Sequence, residues 1–301
     1  MGEPDLNHKS VVATTGLLLA LVIASSVEAQ PPGGPGGPAA GGPSPFPPEE
    51  LAIHHVRDNL YQILSAASGG IFVVTSDDGV LLIDTKFERE YERYMELLRT
   101  VTDQPVRFVI NTHMHGDHTG GNARLEGIGA NIIATGNARD GLAANQTMGL
   151  PRITFDDHMR IFFGGEPIDL YWLGRGHTNG DLVIHMPEQR LVHTGDLFAG
   201  FDPSLRLIDY NGGGSLMEWS GTLERVLELD FDTVIPGHRE PTDRAKLEEA
   251  LEEIVDIQDM IRELHAAGRA PADITAAVQM QFDRFAFIVI PGIEAVLAEL
   301  E

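Results

Sequence analysis

The chain has 301 residues, of which 43% are hydrophobic, enough for a packed core, so we expect one large globular domain and a detachable N-terminal segment. The formal net charge of -24 argues against nucleic acid as a partner, because phosphate binding relies on clustered Lys and Arg. The absence of cysteine excludes disulfides, a thiolate nucleophile and sulfur ligands, so any metal ligand must supply nitrogen or oxygen.

The N-terminal region has the pattern of an export signal followed by a tether. Residues 11–25 form an apolar run, and Val27-Glu28-Ala29 supplies the small residues that precede a cleavage site, which predicts a signal peptide over residues 1–29. The run is shorter than the ~20 apolar residues of a spanning helix, so an uncleaved membrane anchor is the less favoured alternative. Residues 30–50 are rich in Pro and Gly and are predicted to form a disordered linker. We expect the mature chain to be periplasmic or secreted, with no membrane insertion.

The rest of the chain, residues 51–301, alternates short β-rich runs with helical patterns. The runs predict strands, in chain order, at 60–64, 71–75, 80–83, 106–110, 131–134, 168–173, 182–185, 191–192 and 232–235. Helical spacing predicts helices at 89–99, 137–145, 216–229 and 243–266, so C-terminal helices begin at about residue 243. Ser76-Asp77-Asp78-Gly79 predicts a hairpin turn. Strands with interspersed helices favour an α+β fold with two sheets and helices outside them.

Three histidines and one aspartate follow the strand at 106–110 within six residues. In an extended segment His113 and His115 point to the same side, whereas Asp117 and His118, at a tight turn into a helix, aim at a neighbouring point. An exposed polar loop would explain one or two of these histidines but not this density. The motif therefore predicts two metal ions side by side.

Three more potential ligands each follow an apolar strand. His177 follows the strand that ends near 173, Asp196 follows the strand at 191–192, and His238 follows the strand at 232–235. Each is a weak signal alone, because such a residue is more often a cap or a surface residue. Their joint occurrence indicates that four strands deliver ligands from one edge.

These motifs resemble the metallo-β-lactamase superfamily over residues from about 52 to 240. The resemblance implies a four-layer αββα sandwich with metals at one edge. The implied ligands are His113, His115 and His177 for one zinc, Asp117, His118 and His238 for the other, and Asp196 as a bridge between them. Because true β-lactamases commonly have Cys or Ser at the position of Asp196, the chain resembles glyoxalase II and related hydrolases more closely.

The ligand set predicts two zinc ions, although nitrogen and oxygen donors also suit iron or manganese. Zinc lowers the pKa of its bound water to about 7, which yields a hydroxide that attacks an ester, thioester, lactone or lactam carbonyl. We expect Asp117 to be catalytic, orienting this hydroxide or taking its proton. Asp84, at the end of the strand at 80–83, and His193, beside Asp196, are predicted to hold ligating residues in place, with a strand-end turn residue the equal alternative for Asp84.

Two other functions stay open at this point. A metallo-β-lactamase proper suits export and this fold, although Asp196 departs from its pattern. Persulfide dioxygenases share the fold and use a single iron, held by residues corresponding to His113, His177 and Asp196. The substrate is expected to be a small molecule.

The sequence also places three peripheral features. Residues 201–214 are expected to border the substrate cleft. His54 and His55 are expected to precede the first strand, and His158 to lie in a loop.

Overall fold

The structure, a computed structural model, describes residues 51–65, 68–145, 148–200, 206–281 and 287–301. The predicted signal peptide, residues 1–29, and the predicted linker, residues 30–50, lie outside these ranges. Among the described residues, none of the helices has both the length and the apolar character needed to cross a bilayer.

Seven strands form the first sheet: β1 (Ala52–Arg57), β2 (Leu60–Leu64), β3 (Ile71–Ser76), β4 (Gly79–Ile83), β5 (Val106–Ile110), β6 (Asn131–Thr135) and β7 (Ile153–Phe155). Their spatial order is the chain order. Strands β1 to β4 are antiparallel, and the predicted turn joins β3 to β4 where Ser76 pairs with Gly79. Strands β4 to β7 are parallel, so each connection between them must cross over the sheet.

Six strands form the second sheet: β8 (His158–Phe163), β9 (Glu166–Tyr171), β10 (Val183–Met186), β11 (Leu191–Gly195), β13 (Thr233–Pro236) and β14 (Thr242–Asp243). Their spatial order is β14-β13-β11-β10-β9-β8, with β11 and β13 parallel. Two further strands, β12 (Arg206–Asp209) and β15 (Phe287–Ile290), form a separate parallel pair.

Within the described ranges, eight α-helices connect or flank the strands: α1 (Tyr91–Leu98), α2 (Gly116–Thr119), α3 (Asn122–Gly127), α4 (Gly136–Asn145), α5 (Leu216–Leu227), α6 (Arg244–Ala266), α7 (Pro271–Gln281) and α8 (Ile293–Leu297). The predicted start of α6 is confirmed, because the Asp243 side chain accepts a hydrogen bond from the backbone N–H of Lys246. Such a cap satisfies one of the donors that a helix start leaves unpaired.

The apolar side chains divide into three buried clusters, which define four layers. One cluster lies between the two sheets and includes Ile83 from the first and Ile184 from the second. A second packs the outer face of the first sheet, including Leu82, against α1. The third packs the outer face of the second sheet, including Val192, against α5 and α6. Adjacent Leu82 and Ile83 serve opposite faces because side chains alternate along a strand. The predicted α+β αββα sandwich is confirmed.

Three local predictions are wrong. His54 and His55 lie within β1, which has mixed exposure and therefore lacks the alternation that identifies a half-buried strand. His158 is the first residue of β8, where its ring stacks on Tyr171, so it is not in a loop. The strand predicted to reach residue 173 ends at Tyr171.

Candidate metal centre

The candidate ligands follow strand ends. The histidine-rich motif follows β5, with Asp117 and His118 in the first turn of α2. Asp196 comes directly after β11, His238 comes two residues after β13, and His177 lies in the loop between β9 and β10. Because β4 and β5 run parallel to each other, as do β11 and β13, the carboxyl ends of each pair lie at the same edge.

His113, His115 and His177 form the first donor set. Nε2 of His113 lies 3.1 Å from Nδ1 of His115 and 3.2 Å from Nε2 of His177. Nε2 of His177 lies 2.9 Å from Nδ1 of His115. Tetrahedral zinc with Zn–N bonds of ~2.0–2.1 Å places its nitrogen ligands roughly 3.3 Å apart. The three nitrogens therefore converge at close to the spacing that one cation requires.

The outward nitrogen of each of these rings has an oxygen partner. Nδ1 of His177 donates to the backbone carbonyl of Leu207 at 2.7 Å, and Nε2 of His115 donates to Asp209 Oδ2 at 3.0 Å. Nδ1 of His113 lies 3.0 Å from the Thr112 hydroxyl. A proton held on each outward nitrogen leaves the inward nitrogen as a bare lone pair, which is the form that binds a metal.

Asp117, His118 and His238 form the second donor set. Asp117 Oδ2 lies 3.5 Å from Nε2 of His118 and 3.6 Å from Nε2 of His238. The two Nε2 atoms are 3.4 Å apart. Since the rings of His113 and His118 lie 4.2 Å apart between centroids, the second set is adjacent to the first.

Asp196 lies between the two sets. Its Oδ2 is 3.8 Å from Nε2 of His177 in the first set and 3.1 Å from Nε2 of His238 in the second, and its Oδ1 is 3.5 Å from Nε2 of His118. Gly237 permits this position, because a Cβ at residue 237 would lie 2.0 Å from Asp196 Oδ1. The structure thus brings all seven predicted donors together, with the Asp196 carboxylate beside nitrogens of both sets.

The donor arrangement fits bound cations. Lone pairs at 2.9–3.2 Å from one another repel unless a cation lies between them. Within the described residues, Asp196 Oδ1 is buried without a hydrogen-bond partner, which is costly for a carboxylate oxygen. A cation among these donors would remove both the repulsion between the nitrogens and the cost of the unpaired Asp196 oxygen.

The pKa shifts differ between the two sets. Burial lowers the pKa of His113 well below its usual value and that of His177 to about 4, which keeps both rings neutral. Burial also acts to lower the pKa of His118, but Asp117, Asp196 and Asp84 outweigh it and raise that pKa to about 10. Burial acts to raise the pKa values of Asp117 and Asp196, yet the neighbouring histidines outweigh it and hold both below the usual range. The carboxylates of Asp84, Asp117 and Asp196 therefore surround His118 with negative charge, which favours a cation there.

Asp84 is buried at the end of β4 and contacts both donor sets. Its Oδ2 accepts hydrogen bonds from Nδ1 of His118 and from the Thr112 hydroxyl, each at 2.8 Å. Its Oδ1 accepts from the backbone N–H of Thr112, also at 2.8 Å. Since the Thr112 hydroxyl lies against His113, one carboxylate orients a histidine of each set. The predicted role of Asp84 in holding ligating residues stays a prediction, which these contacts support.

His193 has a more indirect position. Its ring is buried, and its Nδ1 accepts a hydrogen bond from the backbone N–H of Gly195 at 3.1 Å. Burial lowers its pKa to about 4, so it is a neutral acceptor. It contacts the backbone next to Asp196 and not a ligating ring, so its predicted supporting role stays a prediction.

Asp209 is a site residue that sequence reasoning did not identify, although it lies in the 201–214 segment expected to border the cleft. Residues 201–205 of that segment lie outside the described residues. Burial acts to raise the pKa of Asp209, but hydrogen bonds from His115 and from the backbone N–H of Gly212 outweigh it and lower that pKa. Asp209 is therefore a carboxylate that fixes the ring of His115.

We expect Asp209→Ala to weaken the first metal site by roughly 10- to 100-fold, the usual cost of losing a partner of a ligating histidine. The variant frees Nε2 of His115 and removes the acceptor of the Gly212 N–H. Asp209→Asn is the milder comparison, because its amide oxygen can still accept from His115, although its NH₂ then faces the Gly212 N–H. Competition with a chromophoric chelator measures both affinities, and equal values for Ala and Asn would contradict the role.

Comparisons with known proteins agree on one family. Residues 68–238 match the family model described as the metallo-beta-lactamase superfamily. A metallo-beta-lactamase type 2 of Elizabethkingia meningoseptica is 23% identical over 220 residues, which cover 69% of this chain and 87% of the relative. The 2,4-dinitroanisole O-demethylase subunit alpha of Nocardioides sp. (strain JS1661) is 27% identical over 200 residues, 62% of this chain and 57% of that protein.

Solved structures give the same fold. A metallo-beta-lactamase from Pontibacter korlensis superposes with a TM-score of 0.63 at 21% identity, covering 68% of this chain and 99% of that one. At this identity the likeness concerns the fold alone.

Proposed function

Because this chain belongs to the metallo-beta-lactamase superfamily and is a metal-dependent hydrolase, we propose that it is an exported dinuclear zinc enzyme. Its reaction is hydrolysis of an ester, thioester, lactone or lactam carbonyl in a small molecule. The observation that carries this proposal is the convergence of seven nitrogen and oxygen donors in two adjacent sets, with Asp196 between them.

The residues that would hold the metals are those of the two donor sets and Asp196. Nitrogen and oxygen ligands of this kind suit zinc, and bound zinc supplies Lewis acidity that lowers the pKa of water to about 7 and stabilises negative charge on a carbonyl oxygen. The open side of the site is next to His115 and Asp117, whose side chains are 24% and 21% exposed, whereas those of His118 and His177 are at most 1% exposed. Substrate must enter from that side.

Asp117 is the group placed to handle the proton of the attacking water. Its Oδ2 accepts a hydrogen bond from the backbone N–H of Gly69 at 3.2 Å, which fixes the carboxylate plane. The histidines around it hold its pKa below the usual range, so it is ionised at neutral pH and can orient water. Partial exposure brings water within its reach.

A substrate panel tests the proposal with zinc-loaded, chelated and iron-loaded protein. The zinc-loaded protein should hydrolyse at least one ester, thioester, lactone or lactam, lose that activity on chelation and regain it with zinc. One iron per chain together with oxygenation of a persulfide would contradict it and favour the mono-iron alternative. For export, the mature protein should be recovered outside the cytoplasm with an N terminus near Gln30.

A β-lactamase proper is the second candidate, favoured by relatives that carry that name. An assay of nitrocefin hydrolysis tests this second candidate. Zinc-dependent turnover well above that of the chelated protein would narrow the proposed function to lactams, whereas turnover equal to the chelated control would remove this candidate.

A further inference from the structure

Lys86, two residues after Asp84, is fully buried. Its Nζ donates to the backbone carbonyl of Gly69 at 2.6 Å and to the hydroxyls of Ser68 at 2.8 Å and Ser65 at 3.0 Å. Burying an ammonium group costs several kcal/mol unless its hydrogen bonds and charge are matched. Ser65, Ser68 and Gly69 belong to the connection between β2 and β3, and a fourth partner, Glu90, lies at the start of α1.

Glu90 contacts the same connection from the helix side. Its Oε1 accepts a hydrogen bond from the Ser68 hydroxyl at 2.9 Å and lies 3.9 Å from Nζ of Lys86. Its Oε2 accepts from the backbone N–H of Phe87 at 3.2 Å. The ammonium and the carboxylate together fix Ser68 and Gly69.

We call residues Ser68–Gly70 the glycine shelf, because they lie against the second donor set. The N–H of Gly69 donates to Asp117 Oδ2 at 3.2 Å, and a Cβ on Gly69 would lie 2.5 Å from Cε1 of His118. The N–H of Gly70 donates to the carbonyl of Gly237, the residue before His238, at 2.7 Å. The shelf therefore contacts Asp117, His118 and the backbone that carries His238.

We propose that Lys86 is a positioning residue for the second metal site: by holding the glycine shelf, it fixes the three ligands of that site while leaving the first site untouched. This inference rests on the proposed function, since it assumes that the second donor set binds a metal. The first set obtains its orientation elsewhere, from Leu207, Asp209 and Thr112.

A purely structural role for Lys86 gives a different result. Loss of a buried hydrogen-bonded group lowers the free energy of unfolding wherever it occurs, but it does not discriminate between two metal sites that are adjacent. A positioning role lowers the affinity of one site selectively. Measurement of the two stepwise zinc affinities therefore distinguishes a positioning role of Lys86 from a purely structural one.

The experiment compares Lys86→Met with wild type by chelator competition and by anomalous diffraction at the zinc edge with limiting zinc. We expect a roughly 10- to 100-fold loss of affinity at the second site and no more than a twofold change at the first. Gln258→Met is the matched control, because Gln258 is buried and hydrogen-bonded to the Leu216 carbonyl and to Ser220, in α5. It should lower the melting temperature while both zinc affinities stay at wild-type values.

Glu90→Gln is the milder variant, and it tests the positioning role of Lys86 if Lys86→Met does not fold. It keeps the shape of the side chain and removes the charge beside Lys86, so it should weaken the second site in the same direction by a smaller factor. Equal losses at both sites, or unchanged affinities in a folded variant, would overturn the role of Lys86. Wild-type protein that binds fewer than two metals would instead count against the proposed function.

Discussion

Asp117→Asn is expected to leave the fold intact and to lower the rate of hydrolysis by about 10²- to 10⁴-fold, the usual contribution of a positioned acid or base. The substitution preserves the volume of the side chain and its acceptor for the Gly69 N–H. It removes the negative charge and the basic oxygen that orients water and takes its proton. Steady-state kinetics on the best substrate of the panel, beside a thermal unfolding curve, measure both effects.

Asp103→Asn is the matched control for that variant, because Asp103 is exposed in the segment between α1 and β5 and lies outside both donor sets. It should keep wild-type activity. Because an amide is a weaker metal ligand than a carboxylate, zinc content must be measured in the same samples. Unchanged turnover in Asp117→Asn with full zinc content would contradict a proton-handling role for Asp117.

Asp84→Asn is expected to weaken both metal sites, by roughly 10- to 100-fold in zinc affinity, and to lower hydrolysis at limiting zinc accordingly. Asp84 has a φ of 65°, a left-handed conformation that Asn also adopts readily, so the backbone is preserved. An amide can accept from the Thr112 N–H, but its NH₂ then faces two further donors, Nδ1 of His118 and the Thr112 hydroxyl. These donors lose their shared acceptor inside the protein.

Asp169→Asn gives the matched control for Asp84→Asn. Asp169 is also a buried carboxylate with a histidine partner, His158, whose Nε2 lies 3.0 Å from Oδ1, but the pair lies on β8 and β9 outside both donor sets. It should lower thermal stability and leave zinc affinity unchanged. A selective effect of Asp84→Asn on only one of the two zinc affinities would contradict the dual contact that the structure shows.

The seven donors could be proposed from the sequence because their signals are local. Four of them lie within the six residues 113–118, shortly after β5, and the other three each follow an apolar strand. Asp84 could be identified from the sequence for the same reason, since it directly follows a continuous apolar strand. The parallel pairs β4–β5 and β11–β13 then bring these ends together, which the pattern of strands alone could not prove.

Asp209 and Lys86 gave no such signal. Asp209 ends β12, a strand of four residues. Among the described strands, β12 pairs only with β15, which lies far along the chain. In the sequence Lys86 resembles an ordinary surface lysine. Its burial depends on contacts with Ser65, Ser68 and Gly69, which are distant from it in the chain. Residues whose role is to hold ligands depend on long-range contacts, which no local spacing encodes.

Two strands that the sequence analysis did not predict, β1 and β8, lie at sheet edges. β1 lies at an edge of the first sheet and carries polar His54 and His55, whereas β8 lies at an edge of the second sheet with exposed Phe162. The burial of side chains along β1 does not alternate, because an edge strand exposes both faces over part of its length. Burial does alternate along β8, but exposed Phe162 next to buried Phe163 interrupts the apolar–polar pattern in the sequence.

Diffraction data collected at the zinc absorption edge from crystals of the zinc-loaded protein test the central claim most directly. Two anomalous peaks are expected, one among His113, His115 and His177 and the other among Asp117, His118 and His238, with Asp196 in contact with both. A single peak, or peaks that lie away from these side chains at saturating zinc, would contradict a dinuclear centre built from the seven donors.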